Sequence, residues 1–187
     1  MKYDKSYLRN RTLIKRRKKY LTVKKFNFNL IFKLIRKHFK KKITIAGYYP
    51  SNYEVNILMF LEKASKKNFK IALPVIKPSS CMSFRLWIFK EPLYVNKFGI
   101  LEPNNSNSEI IPDLILVPLV AFDSDLNRIG YGKGYYDRSL QKINKTKKNI
   151  ISLGIAYSFQ KCSAIPVNKY DFKLDYIFTE RGIINSN

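Results

Sequence analysis

The sequence predicts an α/β sandwich with a largely parallel core, and three observations carry that prediction. Short apolar, β-branched runs recur along the chain, separated by segments whose apolar residues fall at spacings of three and four. The most continuous run, "DLILVPLVAF" at residues 113–122, lacks polar alternation, as a strand covered on both faces does. Hydrophobic residues make up 45% of the 187, too much apolar mass for a disordered chain.

Residues 4–41 read as helical, with Leu30, Ile31, Leu34 and Ile35 on one side. "ITIAGYYP" (43–50) is a short β-branched run stopped by Gly47 and Pro50, a buried strand. "NYEVNILMFLEKASKKN" (52–68) offers Asn52 as an N-cap and carries Val55, Leu58, Met59 and Leu61 on one face, which predicts a helix. "FKIALPVI" (69–76) is again a strand, and "MSFRLWIF" (82–89) alternates as a half-exposed one would. After the 113–122 strand, residues 135–147 form a helix, and "IISLGIAY" (150–157) and "LDYIFTE" (174–180) are the last strands. "EPNNSNSEIIPD" (102–113) reads as a surface loop and not a domain boundary, so residues 1–187 are expected to form a single domain.

No apolar run is long enough to span a bilayer, and "MKYDKSYLRNRTLIKRRKKY" has charge without the apolar segment of a secretory signal. Cys81 and Cys162 lack C-x-x-C spacing and read as small buried hydrophobes, not a disulfide framework. A cytoplasmic, membrane-free protein is the expectation. The net charge of +23 is unevenly spread: residues 1–42 hold 17 Lys/Arg against the single acid Asp4, the remainder 19 against 12. A basic arm of this kind suits polyanions, so an RNA- or DNA-binding protein using its N-terminal helix is one reading. A compositional bias that sets lysines on a solvated face is the other.

The stretch "RIGYGKGYYDRSL" (128–140) carries the chemistry. Gly130, Gly132 and Gly134, three of the chain's seven glycines, fall within five residues just beyond the strongest strand. In open parallel sheets ligands gather at that end. Glycine lets main-chain N–H groups converge on an anion, and the following helix N-terminus adds partial positive charge. Lys133 supplies a mobile point charge and Arg128 a planar fork suited to phosphate oxygens. Asp137 beside a phosphate implies a bridging cation such as Mg²⁺. Tyr135 and Tyr136 can wall a flat ring. The spacing matches neither the Walker pattern nor G-x-G-x-x-G, and a tight glycine turn over core tyrosines is the structural alternative.

With these residues in view, the chain resembles the 5-formyltetrahydrofolate cyclo-ligase (5,10-methenyltetrahydrofolate synthetase) family. The resemblance rests on "VPLVAFDSDLNRIGYGKGYYDR" (117–138), with "DKSYLR" (4–9), "YYPSNYEVN" (48–56), "FGILEP" (98–103) and "LGIAYSFQ…IPVNKYDFKLDYIFTE" (153–180) following the family's order. Many members carry a histidine before the aspartate matching Asp171, and here Tyr170 stands there. His38 reads as a surface residue.

The resemblance implies a three-layer α/β fold of the type shared with phosphosugar isomerases and coenzyme A transferases. It further implies ATP- and Mg²⁺-dependent conversion of 5-formyltetrahydrofolate to 5,10-methenyltetrahydrofolate by a monomer that takes no specific nucleic acid. Lys5, Arg9, Arg128 and Lys133 would then hold ATP phosphates beside Gly130, Gly132, Gly134, Tyr135 and Tyr136. Asp137 and Asp175 would hold Mg²⁺, although Asp175 could instead cap or pair near a strand. Glu54 would accept pterin N–H bonds, or serve as a first-turn helix acid. Tyr49, Tyr131 and Tyr135 would wall the folate, with Phe84 and Trp87 as weaker candidates, and Glu102 would have a structural loop role. An ATP-dependent ligase of the same fold acting on another substrate is a further alternative.

Overall fold

A computed structural model describes residues 4–23, 25–77, 81–147 and 149–185. Among these residues four α-helices form: Lys5–Lys19 (α1), Asn29–His38 (α2), Leu58–Lys66 (α3) and Tyr135–Thr146 (α4). The strands of the first half are Thr44–Ala46 (β1), Lys70–Ile76 (β2), Met82–Leu86 (β3), Tyr94–Val95 (β4), Leu101–Glu102 (β5) and Glu109–Ile110 (β6). Those of the second half are Leu114–Pro118 (β7), Ala121–Phe122 (β8), Arg128–Ile129 (β9), Ile151–Ile155 (β10), Tyr176–Thr179 (β11) and Gly182–Asn185 (β12). None of the helices is long and apolar enough to cross a membrane.

The central sheet runs β12-β11-β10-β7-β1-β2-β3-β6. Its five middle strands are parallel, and β12, β3 and β6 add antiparallel edges. The apolar run at 114–117 shows why both faces must be covered. Leu114 and Leu116 pack with Ile31, Phe32, Ile35, Phe60 and Leu61 of α2 and α3. Ile115 and Val117 turn the other way, into a core shared with Leu140 of α4. Helix, sheet and helix give the expected three layers. A smaller cluster, Leu8 with Ala121, Ile129 and Ile165, docks α1 on the β8–β9 hairpin.

Several local expectations change. The 4–41 segment is two helices, and Lys24 within it lies outside the described residues. The intervening chain carries Phe26 and Phe28 against Phe178, and these aromatics gain more from the core than a continued helix would offer. The helix expected from Asn52 begins only at Leu58. Asn52 and Tyr53 have φ of 47° and 62°, and the Ser51 N–H donates to Glu54 Oε2 at 2.9 Å. That side-chain bond closes a turn in place of the first helical turn. The 113–122 run also divides, because β7 ends at Pro118, which lacks an N–H to extend the ladder. The carbonyls of Leu119 and Val120 take Gln160 Nε2 at 2.9 and 2.7 Å, and β8 then pairs with β9.

Phe84 and Trp87 are buried in the core. His38 lies exposed against the Tyr176 hydroxyl. The cysteines are unpaired and half-buried, less enclosed than expected. Burial and the nearby Asp123 push the Cys162 thiol up to about 11.

Candidate active site

A cleft of about 680 Å³ opens at the carboxyl ends of the parallel strands. Tyr48 and Tyr49 follow β1 into it, Pro74 and Ile76 belong to β2, and Pro118 ends β7. The glycine loop 130–134 and the first turn of α4 form one wall; Lys5 and Arg9 of α1 and the 168–171 segment form another.

Two of the three glycines meet a backbone requirement. Gly132 has φ of 95°, and Gly134 caps α4 at φ 66° in the left-handed region. A Cβ on Gly132 would stand 3.4 Å from the Arg9 guanidinium, and one on Gly134 would stand 2.6 Å from Arg138 Nη1. Arg9 anchors the loop, its Nε donating to the Gly130 carbonyl at 2.8 Å.

Arg128 lies under this loop with a side chain only 3% exposed. Its Nη1 donates to Asp137 Oδ1 at 2.9 Å, and the same oxygen takes the Phe172 N–H at 3.1 Å. Among the described residues, the remaining Nε and Nη2 are buried without a hydrogen-bond partner, as is the Tyr136 hydroxyl. A buried N–H left unsatisfied costs about 1–3 kcal/mol, so this guanidinium is set for an acceptor that enters the cleft. Lys133 is exposed on the rim, and Lys5 forms an ion pair with Asp171 Oδ2, which also accepts from the Asn168 N–H at 2.7 Å.

Opposite the cations stands Glu54. Its Oε1 accepts from the Tyr131 hydroxyl at 2.9 Å and its Oε2 from Ser51. Burial pushes the Glu54 carboxyl up, partly offset by the Ser51 and Tyr131 bonds and by the field of Arg16. Burial and the negative field of Glu54 also raise the Tyr131 and Tyr136 phenols, which stay neutral through the physiological range. Tyr135 packs against Phe98 with ring centroids 6.2 Å apart.

The family profile described as "5-formyltetrahydrofolate cyclo-ligase family" matches residues 1–180. The chain belongs to this family. A cyclo-ligase of Mycoplasma genitalium is 33% identical over 183 residues, 93% of this chain and 96% of that one. The Haemophilus influenzae cyclo-ligase is 33% identical over 136 residues, 70% and 72% of the two chains. Among solved structures, a 5,10-methenyltetrahydrofolate synthetase from Mycoplasma pneumoniae superposes with a TM-score of 0.69 at 27% identity, covering 95% of this chain and 99% of that one. The Aquifex aeolicus synthetase gives 0.71 at 28%, covering 97% and 92%. The chain is thus an enzyme of the cyclo-ligase family, and its sheet is that of the synthetases.

Within this cyclo-ligase cleft the structure gathers Lys5, Arg9, Tyr49, Glu54, Arg128, Gly130, Tyr131, Gly132, Lys133, Gly134, Tyr135, Tyr136 and Asp137. Asp175 is not among them. Its Oδ2 takes the Ser152 N–H at 2.7 Å and the Ser152 hydroxyl at 2.6 Å, clamping β10 to the residue before β11. That contact lies at the amino ends of both strands, opposite the cleft, so Asp175 clamps two strands, as its alternative reading has it, and does not line the cleft where a phosphate-bound cation is expected. Asp171 occupies the cleft in its stead. Glu102 does line the cleft, yet its Oε1 is held by the Ile76 N–H at 2.9 Å and Asn96 Nδ2 at 2.6 Å, a loop-holding role.

Two contributors escaped the sequence reading. Asp171 was adjacent to the position singled out at Tyr170 but had no local signal of its own. Arg16 had one, since residues 5, 9 and 16 fall on one face of a helix. The basic arm accordingly divides. Lys5, Arg9 and Arg16 turn inward, while Arg11, Lys15, Arg17, Lys18 and Lys19 face solvent.

Proposed function

We propose that this protein closes 5-formyltetrahydrofolate to 5,10-methenyltetrahydrofolate, consuming ATP and releasing ADP and phosphate. The observation that carries the phosphate half is Arg128, a buried guanidinium with two unpartnered N–H groups beneath a glycine loop. In phosphoryl transfer the protein's task is positioning and charge compensation. Arg128, Lys133, Lys5 and Arg9 would hold the phosphate oxygens, with the main chain at Gly130, Gly132 and Gly134 approaching them closely.

In this reaction the N5-formyl oxygen attacks the γ-phosphorus as the bond to ADP breaks. N10 then bonds to the formyl carbon and gives up its proton, and phosphate departs with the oxygen. Glu54 would fix the pterin, because each of its oxygens takes a protein donor and retains a lone pair for a substrate N–H. Tyr49, Tyr131 and Tyr135 would wall the ring system.

The donor set fits Mg²⁺. Asp137 and Asp171 are the two aspartates that line the cleft, while Glu54 and Glu102 are held by other donors, and Mg²⁺ is ordinarily held by one or two carboxylates together with substrate phosphates. When bound there, the ion would neutralise charge on the transferring phosphoryl group.

The test is a turnover assay that follows the near-ultraviolet band of the methenyl product. Mixing enzyme, 5-formyltetrahydrofolate, ATP and Mg²⁺ should generate the band, and omission of either ATP or Mg²⁺ should abolish it. A folded preparation that hydrolyses no ATP with this folate, over a range of Mg²⁺ and pH, overturns the proposal.

A further inference from the structure

Arg16 points toward the cleft from α1 but never reaches it. It is 1% exposed, the largest fully buried side chain described. Its Nη1 donates to the Leu119 carbonyl at 3.2 Å, its Nη2 donates to the Tyr131 hydroxyl, and its Nε has no partner among the described residues. Its guanidinium carbon stands 5.6 Å from the centroid of the Tyr131 ring. Among the described residues no carboxylate lies within ion-pair distance of it. A buried charge without a direct counter-charge is costly, so its retention needs a reason. One hydrogen-bonded path leads from it to a carboxylate: Arg16 donates to the Tyr131 hydroxyl, which donates to Glu54 Oε1 at 2.9 Å.

We propose that Arg16 is a positioning residue for substrate recognition: through the Tyr131 hydroxyl it keeps Glu54 ionised and aims both carboxylate oxygens at the pterin. The inference rests on Glu54 being the pterin acceptor. Hydrogen bonds pass their polarisation along a chain, and an arginine donating to a phenol makes that phenol a stronger donor to the next acceptor. The groups facing Glu54 come from every side of the site. Ser51 belongs to its own turn, Tyr131 to the glycine loop and Arg16 to α1, while the phenols of Tyr48, Tyr136 and Tyr157 approach from beyond β1, from α4 and from beyond β10. Those phenols are all held above their ordinary range and stay neutral, so Arg16 is the charge that favours the carboxylate in this shell.

The experiment is calorimetric titration of the full chain with 5-formyltetrahydrofolate between about pH 5 and 8, with ATP affinity measured in parallel. Protonation of Glu54 removes an acceptor, so folate affinity falls as pH drops through its pKa. In Arg16→Met that midpoint should rise by about one pH unit or more, with affinity recovering toward wild type at the alkaline end and ATP affinity unchanged. Tyr131→Phe should move the midpoint the same way, and Arg16→Lys should fall between wild type and Arg16→Met. Comparison with wild type cancels the ligand's own carboxyl groups.

A loss of affinity in Arg16→Met that is equal at every pH, with the midpoint unmoved, would make the arginine a structural prop and overturn the proposal. If Arg16→Met fails to fold, Tyr131→Phe decides, because it leaves Arg16 and its bond to Leu119 in place; an unmoved midpoint there is equally fatal. Glu54→Gln tests the underlying reading separately. Wild-type folate affinity in that variant would remove Glu54 from recognition whatever Arg16 does.

Discussion

Asp137 serves two partners with one carboxylate. Its Oδ1 holds Arg128 and the Phe172 N–H, which leaves the second oxygen as the one available to a cation. Asp137→Asn should therefore fold and still lose turnover by roughly a hundredfold, the scale expected when a transition-state charge partner is removed. Raising Mg²⁺ should restore only part of the rate, and wild-type turnover in thorough chelator would refute the metal assignment. Glu54 makes the complementary case. Glu54→Gln should weaken 5-formyltetrahydrofolate binding by about 1.5–3 kcal/mol, roughly ten- to a hundredfold, because a charged acceptor is lost. ATP affinity should stay within a few-fold, since Glu54 bonds Ser51 and Tyr131 and none of the cations proposed to hold phosphate. Equal losses for both ligands in calorimetry would mark Glu54 as structural.

The glycine loop and α4 form the element that was most legible in the sequence, and the reason is steric. Glycine adopts φ of 95° at position 132 and 66° at the helix cap 134 with less strain than a side-chain-bearing residue, so the spacing announces a special backbone. Gly132→Val and Gly134→Val should reduce ATP affinity, measured by calorimetry on folded protein. Gly130→Ala should leave the melting temperature unchanged, because a Cβ there meets nothing within 4 Å. Unaltered ATP affinity in both valine variants would remove the loop from phosphate binding. The strands at 114–118 and 151–155 were equally legible, each being an apolar run buried on both faces.

The failures share a cause. The helix expected from Asn52, the unbroken 4–41 helix and the single 113–122 strand all yield to contacts made by residues distant in sequence or by side chains on backbone. Ser51 with Glu54, Phe26 and Phe28 with Phe178, and Gln160 with Leu119 and Val120 are the contacts in question. Local pattern does not contain them. Asp171 lines the cleft, whereas Asp175, four residues on, holds the amino ends of β10 and β11, a difference that residue type alone cannot express.

At the scale of the molecule, the surplus of positive charge is concentrated in residues 1–42, which hold 17 Lys/Arg against one acid, and α1 carries part of it beside a cleft read as taking two polyanions. Such a field raises capture rates and is screened by salt. Raising ionic strength from about 0.05 to 0.3 M should increase the KM for ATP several-fold with kcat nearly constant. An unchanged KM would reduce the charge to composition. The ion pair of Lys5 with Asp171 joins positions 166 residues apart, and α1 also reaches Leu119, Gly130, Tyr131 and Phe159. During synthesis, then, Lys5 waits for residue 171 before its carboxylate partner exists. A nascent chain halted before residue 171 can hold β1, β2 and β7 side by side and yet lack the carboxylate that pairs with Lys5 in the cleft. Closure of the cleft on that side thus follows the making of the 168–171 segment.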